Sequence, residues 1–354
     1  MMPKVTIIGG GIIGMSIAYH LADFANVTVY EVDWTYTQSS FARSCGGLRA
    51  QFSTSTNISM SRHSIDFIKN TAKIPFTPNG YLMLFDESQR TDHDHSLALQ
   101  QELGAATQSF DRTELLKLHP YLNVDDVYRG CVTLNESEGW IDPFLLHSWY
   151  KENATKKGVK VVFGNGLDSN TENADIVVIA AGCWTGEVAS KFDLNIPVRG
   201  HKHTVYTVST EKPVMSQLPL VADLITGIYL RPEGQGYIVG YDGNGVYDAT
   251  NLDPDYTSWD RVWELLYHRF PNHFDAAKMT GAWAGYYDTS TIDNNAIIDN
   301  SGKFYFATGF TGRGLMHSPA VGLVMSEMIL QKPLSFDIES YRLNRKPNLE
   351  KYVI

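Results

Sequence analysis

The sequence predicts an α/β protein in which a parallel sheet is interleaved along the chain with an α+β unit built on an antiparallel sheet. Residues 4–32 have the pattern of strand, turn, helix and strand, which is typical of the start of a parallel sheet. Short apolar runs between residues 197 and 243, separated by Pro and Gly, favour an antiparallel sheet. A strand, a glycine-rich turn and a helix return over residues 304–330, so both chain ends are expected in one sheet.

The composition is that of a folded protein for which no nonspecific attraction to polyanions is expected, although it leaves a local basic patch open. The 354 residues exceed what one simple core accommodates, so two domains are expected. A hydrophobic fraction of 43% is typical of a folded globular protein. A formal net charge of −10 argues against nucleic acid and anionic lipid as partners. No segment has the length of a membrane span or the pattern of a targeting signal.

The cysteines indicate a reducing compartment. Cys45, Cys131 and Cys183 are far apart, odd in number and form no C-x-x-C pair, so neither a disulfide framework nor a zinc site is expected. We therefore expect a cytoplasmic protein.

Two histidine-containing segments carry residue types that bind metals. His201-x-His203 and Asp92–His95 each lack a third ligand at a recognisable spacing. No metal site is predicted.

The opening unit carries a glycine turn that is typical of dinucleotide binding. Gly9, Gly11 and Gly14 form G-x-G-x-x-G directly after a strand and at the start of a helix. Glycine there permits the tight turn, the close approach of a pyrophosphate and the packing of helix on strand. The helix amides, beginning with Ile12 and Ile13, would then face the phosphates. We predict a Rossmann-type domain at this end of the chain.

Glu31 ends the second predicted strand, twenty residues after Gly11. A carboxylate at that position accepts hydrogen bonds from both ribose hydroxyls of an adenosine and repels a 2′-phosphate. The alternative is an acid that is merely solvated at a strand end. The glycine turn and Glu31 serve NAD as well as FAD, so these residues leave an NAD-dependent dehydrogenase open.

The remaining elements follow from periodicity and turn residues. Residues 86–138 are expected to hold helices and loops, and Asp142 is expected to cap a helix that starts at Pro143 and runs to Lys157. Further strands are predicted at Gly80–Phe85, Val159–Phe163, Asp175–Ala180, His203–Val208, Gly227–Leu230, Gly236–Gly240 and Phe304–Ala307, and further helices at Ile65–Lys69 and Pro319–Leu330. This order assigns residues 1–85, 140–200 and 290–354 to a cofactor-binding domain, and residues 86–139 and 201–289 to a substrate domain.

Three segments together resemble the D-amino-acid-oxidase superfamily of FAD-dependent oxidoreductases. They are Thr6–Glu31, Ser39–Arg49 and Gly309–Pro319. Within the superfamily the sequence is similar to the sarcosine oxidase, dimethylglycine dehydrogenase and proline dehydrogenase β-subunit group. It also resembles the FAD-dependent oxidoreductase domain-containing proteins. The segments that carry this resemblance are Trp283–Asp288 and, after it, Asp293–Asn295. The resemblance implies FAD as the cofactor and a Rossmann-type FAD-binding domain interleaved with a substrate domain.

The resemblance also implies which residues contact FAD. Small residues let main-chain N–H groups approach the flavin, which stabilises negative charge on the reduced ring. The alternative for these glycines is ordinary turn chemistry. Relatives with a covalent flavin carry Cys near Gly285 or His near Cys45, and neither match exists here, so FAD is expected to be noncovalent. The expected cofactor contacts are Gly9, Gly11, Ile12, Ile13, Gly14, Glu31, Ser39, Ser40, Ser44, Gly46, Gly47, Leu48, Ala181, Gly182, Gly312, Gly314, Leu315 and Met316.

The resemblance makes Arg49, His317 and Tyr286 candidates for the substrate site. Arg49 matches the arginine that binds the substrate carboxylate in sarcosine-oxidising relatives, and its alternative is an ion pair within the protein. Met316 stands where those relatives carry a lysine, so His317 beside it either replaces that lysine or caps the helix. Tyr286 lies in the loop that holds a carboxylate-binding arginine in glycine oxidase and D-amino-acid oxidase, which makes D-amino acids a weaker expectation.

The resulting hypothesis is an FAD-dependent oxidation, by hydride transfer to flavin N5, of a secondary, N-alkylated or cyclic amino acid or a related amine. The oxygen-activating lysine of sarcosine oxidases falls near Ile238, so the electron acceptor is either O2 or a redox partner. One alternative is an NAD-dependent dehydrogenase, which does not account for the C-terminal glycine motif. The other is a non-catalytic assembly or scaffold factor in which FAD is structural.

Overall fold

The structure is a computed structural model that describes residues 2–133, 137–164, 171–247 and 249–353. The strands of these residues are β1 (Lys4–Ile8), β2 (Asn26–Glu31), β3 (Gly47–Leu48), β4 (Phe76–Thr77), β5 (Tyr81–Phe85), β6 (Thr107–Phe110), β7 (Arg129–Thr133), β8 (Gly139–Ile141), β9 (Lys160–Phe163), β10 (Ile176–Ile179), β11 (Val198–Ser209), β12 (Leu220–Asp223), β13 (Ile228–Glu233), β14 (Gly236–Tyr241), β15 (Lys278–Ser290), β16 (Ile297–Ser301) and β17 (Phe304–Thr308). The helices are α1 (Ile12–Leu21), α2 (Ser55–Asp66), α3 (Arg90–Glu102), α4 (Arg112–Leu118), α5 (Pro143–Lys156), α6 (Thr185–Ser190), α7 (Trp259–Arg269) and α8 (Gly314–Ile329).

A six-stranded sheet joins the two ends of the chain. Its order is β16-β17-β10-β1-β2-β9, and each neighbouring pair is parallel except β16 with β17. Val177, Val178 and Ile179 of β10 have no exposed surface, as a parallel sheet covered on both faces requires. The predictions of a βαβ start and of a return by the C-terminal strand are confirmed.

Close helix packing holds the start of α1 against the C-terminal half of the chain. A Cβ on Gly322 of α8 would lie 2.2 Å from Ser16 Oγ of α1, so a larger residue would force the two helices apart. Ser16 Oγ donates to the Ser318 carbonyl at 2.7 Å. The two chain ends therefore stabilise each other through this helix pair.

Helix α5 begins as the sequence predicts. The Asp142 carboxylate accepts from Phe144 N at 2.8 Å, and Pro143 occupies the first helical position, where its missing N–H costs nothing. Helix α8 differs from the prediction because it begins at Gly314 and contains Pro319. The Ser318 hydroxyl donates to the Leu315 carbonyl at 2.9 Å, which supplies the hydrogen bond that a proline at 319 cannot donate.

An eight-stranded sheet has the order β15-β11-β14-β13-β12-β5-β7-β6. Its neighbours are antiparallel except β12 and β5, which are parallel. Helix α7 contributes Val262, Leu265 and Leu266 to the buried cluster on one face of this sheet, together with Leu230 and Val239. The predicted antiparallel runs between residues 203 and 240 are confirmed.

Two features of this sheet differ from the prediction. Residues 86–138, expected to hold only helices and loops, also contain β6 and β7, and β7 is held by β5 through pairs such as Leu82 with Val132. These short strands carry polar residues, so their formation depends on pairing with a neighbouring strand more than on their own sequence pattern. Strand β5 lies in this sheet, whereas the sequence grouped residues 1–85 with the cofactor domain. The domain boundaries themselves stay a prediction.

A three-stranded sheet, β3-β8-β4, directs the segment that precedes Arg49. Gly46, just before β3, has a φ of +76°, and a Cβ there would lie 2.1 Å from the Ile141 carbonyl oxygen. Glycine is therefore required at this position. The pairing determines where Arg49 leaves the sheet.

Two observations concern the chain as a whole. None of the helices within the described ranges is both long and apolar enough to span a membrane. Cys45, Cys131 and Cys183 are free thiols. Burial raises the pKa of each of them, so all three stay protonated near neutral pH.

Candidate functional site

A cavity of about 990 Å³ lies at the carboxyl ends of the parallel strands. Its walls include Gly9 after β1, Glu31 at the end of β2 and Ala180 after β10. Open α/β sheets bind their ligands in this crevice. Residues of the eight-stranded sheet that line the same cavity are Tyr81, His203, Val205, Leu220, Tyr229, Gly285, Tyr286, Tyr287 and Asp288.

The glycine turn has the backbone that phosphate binding requires. Gly9 has a φ of +104°, and a Cβ on Gly14 would lie 1.9 Å from the Gly9 carbonyl oxygen, so α1 can pack on β1 only with glycine at both positions. A Cβ on Gly11 meets no atom within 4 Å, which leaves room for a ligand. Gly11 caps α1 without a side-chain hydrogen bond, so the amides of Ile12 and Ile13 in the first turn can donate to phosphate oxygens.

Glu31 is held against this turn. Its side chain is buried on the cavity wall, where Oε2 accepts from Gly10 N at 2.8 Å and Oε1 accepts from Asp33 N at 2.9 Å. Burial raises the pKa of Glu31 above its usual value. The carboxylate is therefore a fixed part of the turn and not a solvated acid at a strand end.

The segment after β2 brings a cationic residue that sequence reasoning missed. Arg43 lines the cavity, and its guanidinium donates to the Thr37 carbonyl at 2.6 Å and to the Ala284 carbonyl at 2.8 Å. These bonds fix the group and leave further N–H donors for an anion. The predicted serines on the same wall are Ser39, Ser40 and Ser44.

The segment expected beside the flavin reaches the cavity only in part. Gly47 lines it, and a Cβ there would lie 1.7 Å from the Tyr81 hydroxyl oxygen. Gly46 and Leu48 lie behind the wall, because Gly46 packs on the Ile141 carbonyl and Leu48 is fully buried in the core. These two residues shape the wall from behind its surface, and their contact with a cofactor stays a prediction.

The opposite wall comes from the ends of β10 and β17. Ala181 and Gly182 line the cavity after β10. Gly312 has a φ of +82°, and a Cβ there would lie 2.8 Å from the Tyr287 ring. The positive end of α8, a 16-residue helix, meets the same cavity. The other predicted residues on this wall are Gly314, Leu315 and Met316.

These features fit a dinucleotide cofactor. Two helix N-termini meet one cavity, Gly11 leaves room where a phosphate would lie, and Glu31 is fixed where a ribose is expected. A volume of about 990 Å³ suits a cofactor and a small substrate together.

Arg49 lies on the cavity wall, directly after β3. Its side chain is 4% exposed and lies over the Phe52 ring, with Cζ 4.0 Å from the ring centre. The guanidinium donates to the main-chain carbonyls of Gln51 and Tyr352, and no carboxylate of the described residues lies within ion-pair distance of it. Burial lowers the pKa of Arg49, but a guanidinium stays charged near neutral pH.

Tyr286 and His317 have other surroundings than the sequence suggested. Tyr286 lines the cavity, but its hydroxyl donates to the Asn251 carbonyl and its ring packs edge-on against Trp184. His317 does not line the cavity: it is 1% exposed, and its Nε2 lies 2.9 Å from Ser61 Oγ of α2. His317 is thus a buried link between α8 and α2, and a direct contact of His317 with a substrate stays a prediction.

The positive charge near Arg49 and Arg313 comes from these two arginines and not from His317. Burial and the positive charges of Arg313 and Arg49 lower the pKa of His317 well below its usual value, so the imidazole stays neutral. Arg313, which sequence reasoning did not assign, lines the cavity at the start of α8. It lies inside the Gly309–Pro319 motif, but the sequence does not say which side chain of the motif faces the cavity.

A smaller cavity of about 420 Å³ adjoins the main one and shares His203, Tyr287, Thr311 and Val353 with it. His203 Nε2 lies 3.0 Å from His201 Nδ1. Burial lowers the pKa of His203 to about 3, so this residue is neutral near pH 7. Across the described ranges, no three His, Cys, Asp or Glu side chains are arranged to hold a metal ion.

Comparisons with known proteins agree with this geometry. Residues 4–328 match the family described as DAO, FAD dependent oxidoreductase. The chain is 32% identical to FAD-dependent oxidoreductase domain-containing protein 1 of Xenopus laevis, and the match covers 99% of this chain and 84% of that protein. It is 25% identical to the mitochondrial dimethylglycine dehydrogenase of Rattus norvegicus, over 97% of this chain and 44% of the rat protein.

Solved structures show the same fold. The L-proline dehydrogenase from P. horikoshii matches with a TM-score of 0.86 and 25% identity, over 98% of this chain and 99% of that chain. The glycine oxidase from Geobacillus kaustophilus matches with a TM-score of 0.81 and 19% identity, over 98% of this chain and 100% of that chain. The α/β fold with a Rossmann-type nucleotide-binding part is thus shared with both.

Proposed function

We propose, from the premise that the chain belongs to the DAO family of FAD dependent oxidoreductases, that it oxidises a secondary, N-alkylated or cyclic amino acid with noncovalently bound FAD. Family membership implies FAD binding. The dimethylglycine dehydrogenase and the L-proline dehydrogenase are named for an N-methylated and a cyclic amino acid, and this supports the proposed substrate class.

The residues present fit FAD. The turn at 9–14 would hold the pyrophosphate, Glu31 the ribose, and the N-terminus of α8 the flavin end. Cys45 lines the cavity, but burial raises the pKa of its thiol to about 11, which makes it a poor nucleophile and supports noncovalent attachment. When bound, FAD supplies a two-electron acceptor for a hydride from the carbon next to the amine nitrogen.

The observation that carries the proposal is Arg49. A buried guanidinium on the cavity wall, with no carboxylate of the described residues within ion-pair distance, is suited to a carboxylate that arrives with the substrate. Its bonds to the carbonyls of Gln51 and Tyr352 hold it in place before the substrate binds. Arg49 would thereby orient the carbon that loses the hydride.

The remaining chemistry needs no nucleophilic side chain. The substrate carbon loses a hydride, the nitrogen loses its proton to water, and a second water hydrolyses the imine to a carbonyl compound and an amine. The cavity walls contribute by fixing the substrate and limiting access of water to the reacting carbon.

We propose that the reduced flavin passes its electrons mainly to a redox partner and only slowly to O2. The lining of the main cavity, as far as the structure describes it, contains no lysine. Ile238, near which the sequence placed the oxygen-activating position, is buried in β14 and does not line the cavity. Slow reoxidation of the reduced protein by air, with fast reoxidation by a dye, would agree with this.

The test is anaerobic bleaching of the flavin by a panel of amines, with Arg49→Gln and Arg49→Lys beside the wild type. We expect N-methylated amino acids and proline analogues to bleach the wild type. Loss of the charge-assisted contact in Arg49→Gln should raise KM on the order of 10- to 100-fold. Arg199→Gln, at an exposed position on β11, is the matched control.

Three results would contradict parts of this proposal. An unchanged KM in an Arg49→Gln protein with full FAD content would remove Arg49 from the substrate site. FAD that no amine bleaches would favour a structural flavin and the role of an assembly factor. Purified protein that takes up no flavin on reconstitution would contradict the cofactor.

A further inference from the structure

Arg313 presents a buried guanidinium with unused donors. Its side chain is 3% exposed and lines the main cavity at the start of α8. Nη2 donates to the Asn294 carbonyl, whereas Nε and Nη1 have no hydrogen-bond partner among the described residues. At least three of the five N–H groups of Arg313 are therefore unmatched. Buried donors of a charged group are costly to leave unpaired, so a ligand with acceptor atoms is expected there.

The acids around Arg313 are engaged elsewhere. No carboxylate among the residues described lies within the 4 Å of an ion pair with it, although Glu350, Asp288 and Asp293 are near enough to act on it through charge. Asp293 pairs with Arg345 instead, and Asp288 accepts from a main-chain amide at 2.9 Å. The groups that donate to the carboxylate of Glu350 are Ser53 N, Ser53 Oγ, Thr54 Oγ1, Asn57 Nδ2 and Tyr352 N.

Arg313 and Arg49 lie close enough for one small molecule to contact both. Their Cζ atoms are 5.9 Å and 4.0 Å from the centre of the Phe52 ring, so they are less than about 10 Å apart. Four covalent bonds of about 1.5 Å place the carboxylate carbons of a diacid at most roughly 5 Å apart. If one carboxylate of such a diacid binds Arg49, the second carboxylate of the same molecule would reach Arg313.

We propose that Arg313 is a second anion-binding subsite and that the preferred substrate is a secondary amino acid with two carboxylates. This inference rests on the proposed function, since it assumes that Arg49 binds the first carboxylate. The second carboxylate would accept from the unused Nε and Nη1 donors of Arg313.

The experiment compares substrates that differ by one carboxylate, in holoenzyme with measured FAD content. Iminodiacetate is paired with N-ethylglycine, and N-methylaspartate with N-methylalanine. We expect the wild type to bind each diacid on the order of 10- to 100-fold more tightly than its partner. Arg313→Gln should abolish this preference by weakening the diacids alone, Arg313→Lys should keep part of it, and Arg199→Gln should keep all of it.

A second measurement does not depend on turnover. Thiodiacetate and (methylthio)acetate carry a thioether in place of the amine, and their dissociation constants follow from the change that they cause in the flavin spectrum. We expect thiodiacetate to bind more tightly in the wild type and equally with (methylthio)acetate in Arg313→Gln. If no amine is oxidised but this difference appears, the proposed function and the proposed substrate both fail, and only the anion-binding subsite at Arg313 is supported.

Three outcomes would overturn the subsite. A wild type that binds mono- and dicarboxylates equally would show that there is no second carboxylate position. Equal weakening of both classes in Arg313→Gln would mean that the two arginines hold a single carboxylate. An unchanged diacid preference in Arg313→Gln, with a lower affinity for FAD, would place the Arg313 donors on the cofactor.

Discussion

The two ends of the main cavity are built in different ways. At the end assigned to the adenosine and phosphates, the wall consists of main-chain amides, required glycines and one carboxylate, which lie close together in sequence between Gly9 and Glu31. At the end assigned to the substrate, the wall consists of charged and aromatic side chains, such as Arg49, Tyr229 and Arg313, from segments that are far apart. The first end depends on the absence of Cβ atoms, and the second depends on the side chains present.

This difference predicts how each end responds to change. A substitution in the glycine turn alters the backbone and should remove the cofactor or the fold. A substitution at the substrate end removes one contact, so the protein should keep FAD and lose affinity for its substrate. The effects on KM expected for Arg49 and Arg313 are of this second kind.

The largest expected effect, and the sharpest test of the comparison, comes from two glycines of one turn. In Gly14→Ala the new Cβ would lie 1.9 Å from the Gly9 carbonyl oxygen, so α1 must move off β1 and the apoprotein should lose at least about 2 kcal/mol of stability. In Gly11→Ala the new Cβ meets no protein atom within 4 Å, so the apoprotein should lose less than about 1 kcal/mol.

FAD binding should separate the two variants further. Gly11→Ala places a methyl group in the space left for the ligand, so we expect at least a tenfold weaker affinity for FAD without unfolding, measured by flavin titration of the apoprotein. Chemical denaturation of both apoproteins is the control. If Gly11→Ala bound FAD as the wild type does, the cofactor would not lie over this turn.

An effect of intermediate size is expected at low pH, where the protein should lose stability because a histidine is buried near each end of the cavity. His147 Nε2 lies 2.8 Å from the Gly10 carbonyl oxygen at the glycine turn, and burial lowers its pKa to about 4. Burial lowers the pKa of His203, at the substrate end, to about 3. Both are neutral when folded but protonate near pH 6.5 when unfolded, so stability is present above pH 6.5 and is lost as the pH falls towards the folded values.

Each histidine contributes at most about 1.4 kcal/mol per pH unit to this loss. His147→Gln and His203→Gln should both make the dependence of the unfolding free energy on pH shallower between pH 6.5 and 4. His147→Gln should in addition change the pH at which FAD is released, because this side chain holds the glycine turn. If His203→Gln shifted the pH of FAD release as much as His147→Gln did, the two ends of the cavity would not respond independently.

The smallest expected effect lies outside both ends. The cap of α5 is exposed, and Asp142→Ala removes its bond to Phe144 N, which should cost about 1 kcal/mol of stability. Thermal denaturation measures this loss. The affinity for FAD and the KM for the amine should stay unchanged, so a change in either would show that the helix start contributes to the site.

The sequence by itself determined the elements whose signals are local. The spacing of Gly9, Gly11 and Gly14, the carboxylate at 31 and the cap at Asp142 depend on main-chain geometry over a few residues, so they could be predicted without knowing the fold. Their resemblance to a known superfamily pointed to FAD, and family membership agrees with it. Arg49 could be named because it ends the segment Ser39–Arg49 and matches an arginine of the sarcosine-oxidising relatives.

The tertiary structure decided which side chains meet at the substrate end. Strand β7 forms because β5 lies beside it, and His317 faces Ser61 because α2 packs against α8. Arg313 becomes a candidate anion site only because its acidic neighbours are bound to other groups. Such burial and pairing depend on contacts between residues hundreds of positions apart, and the periodicity of a single segment carries no information about them.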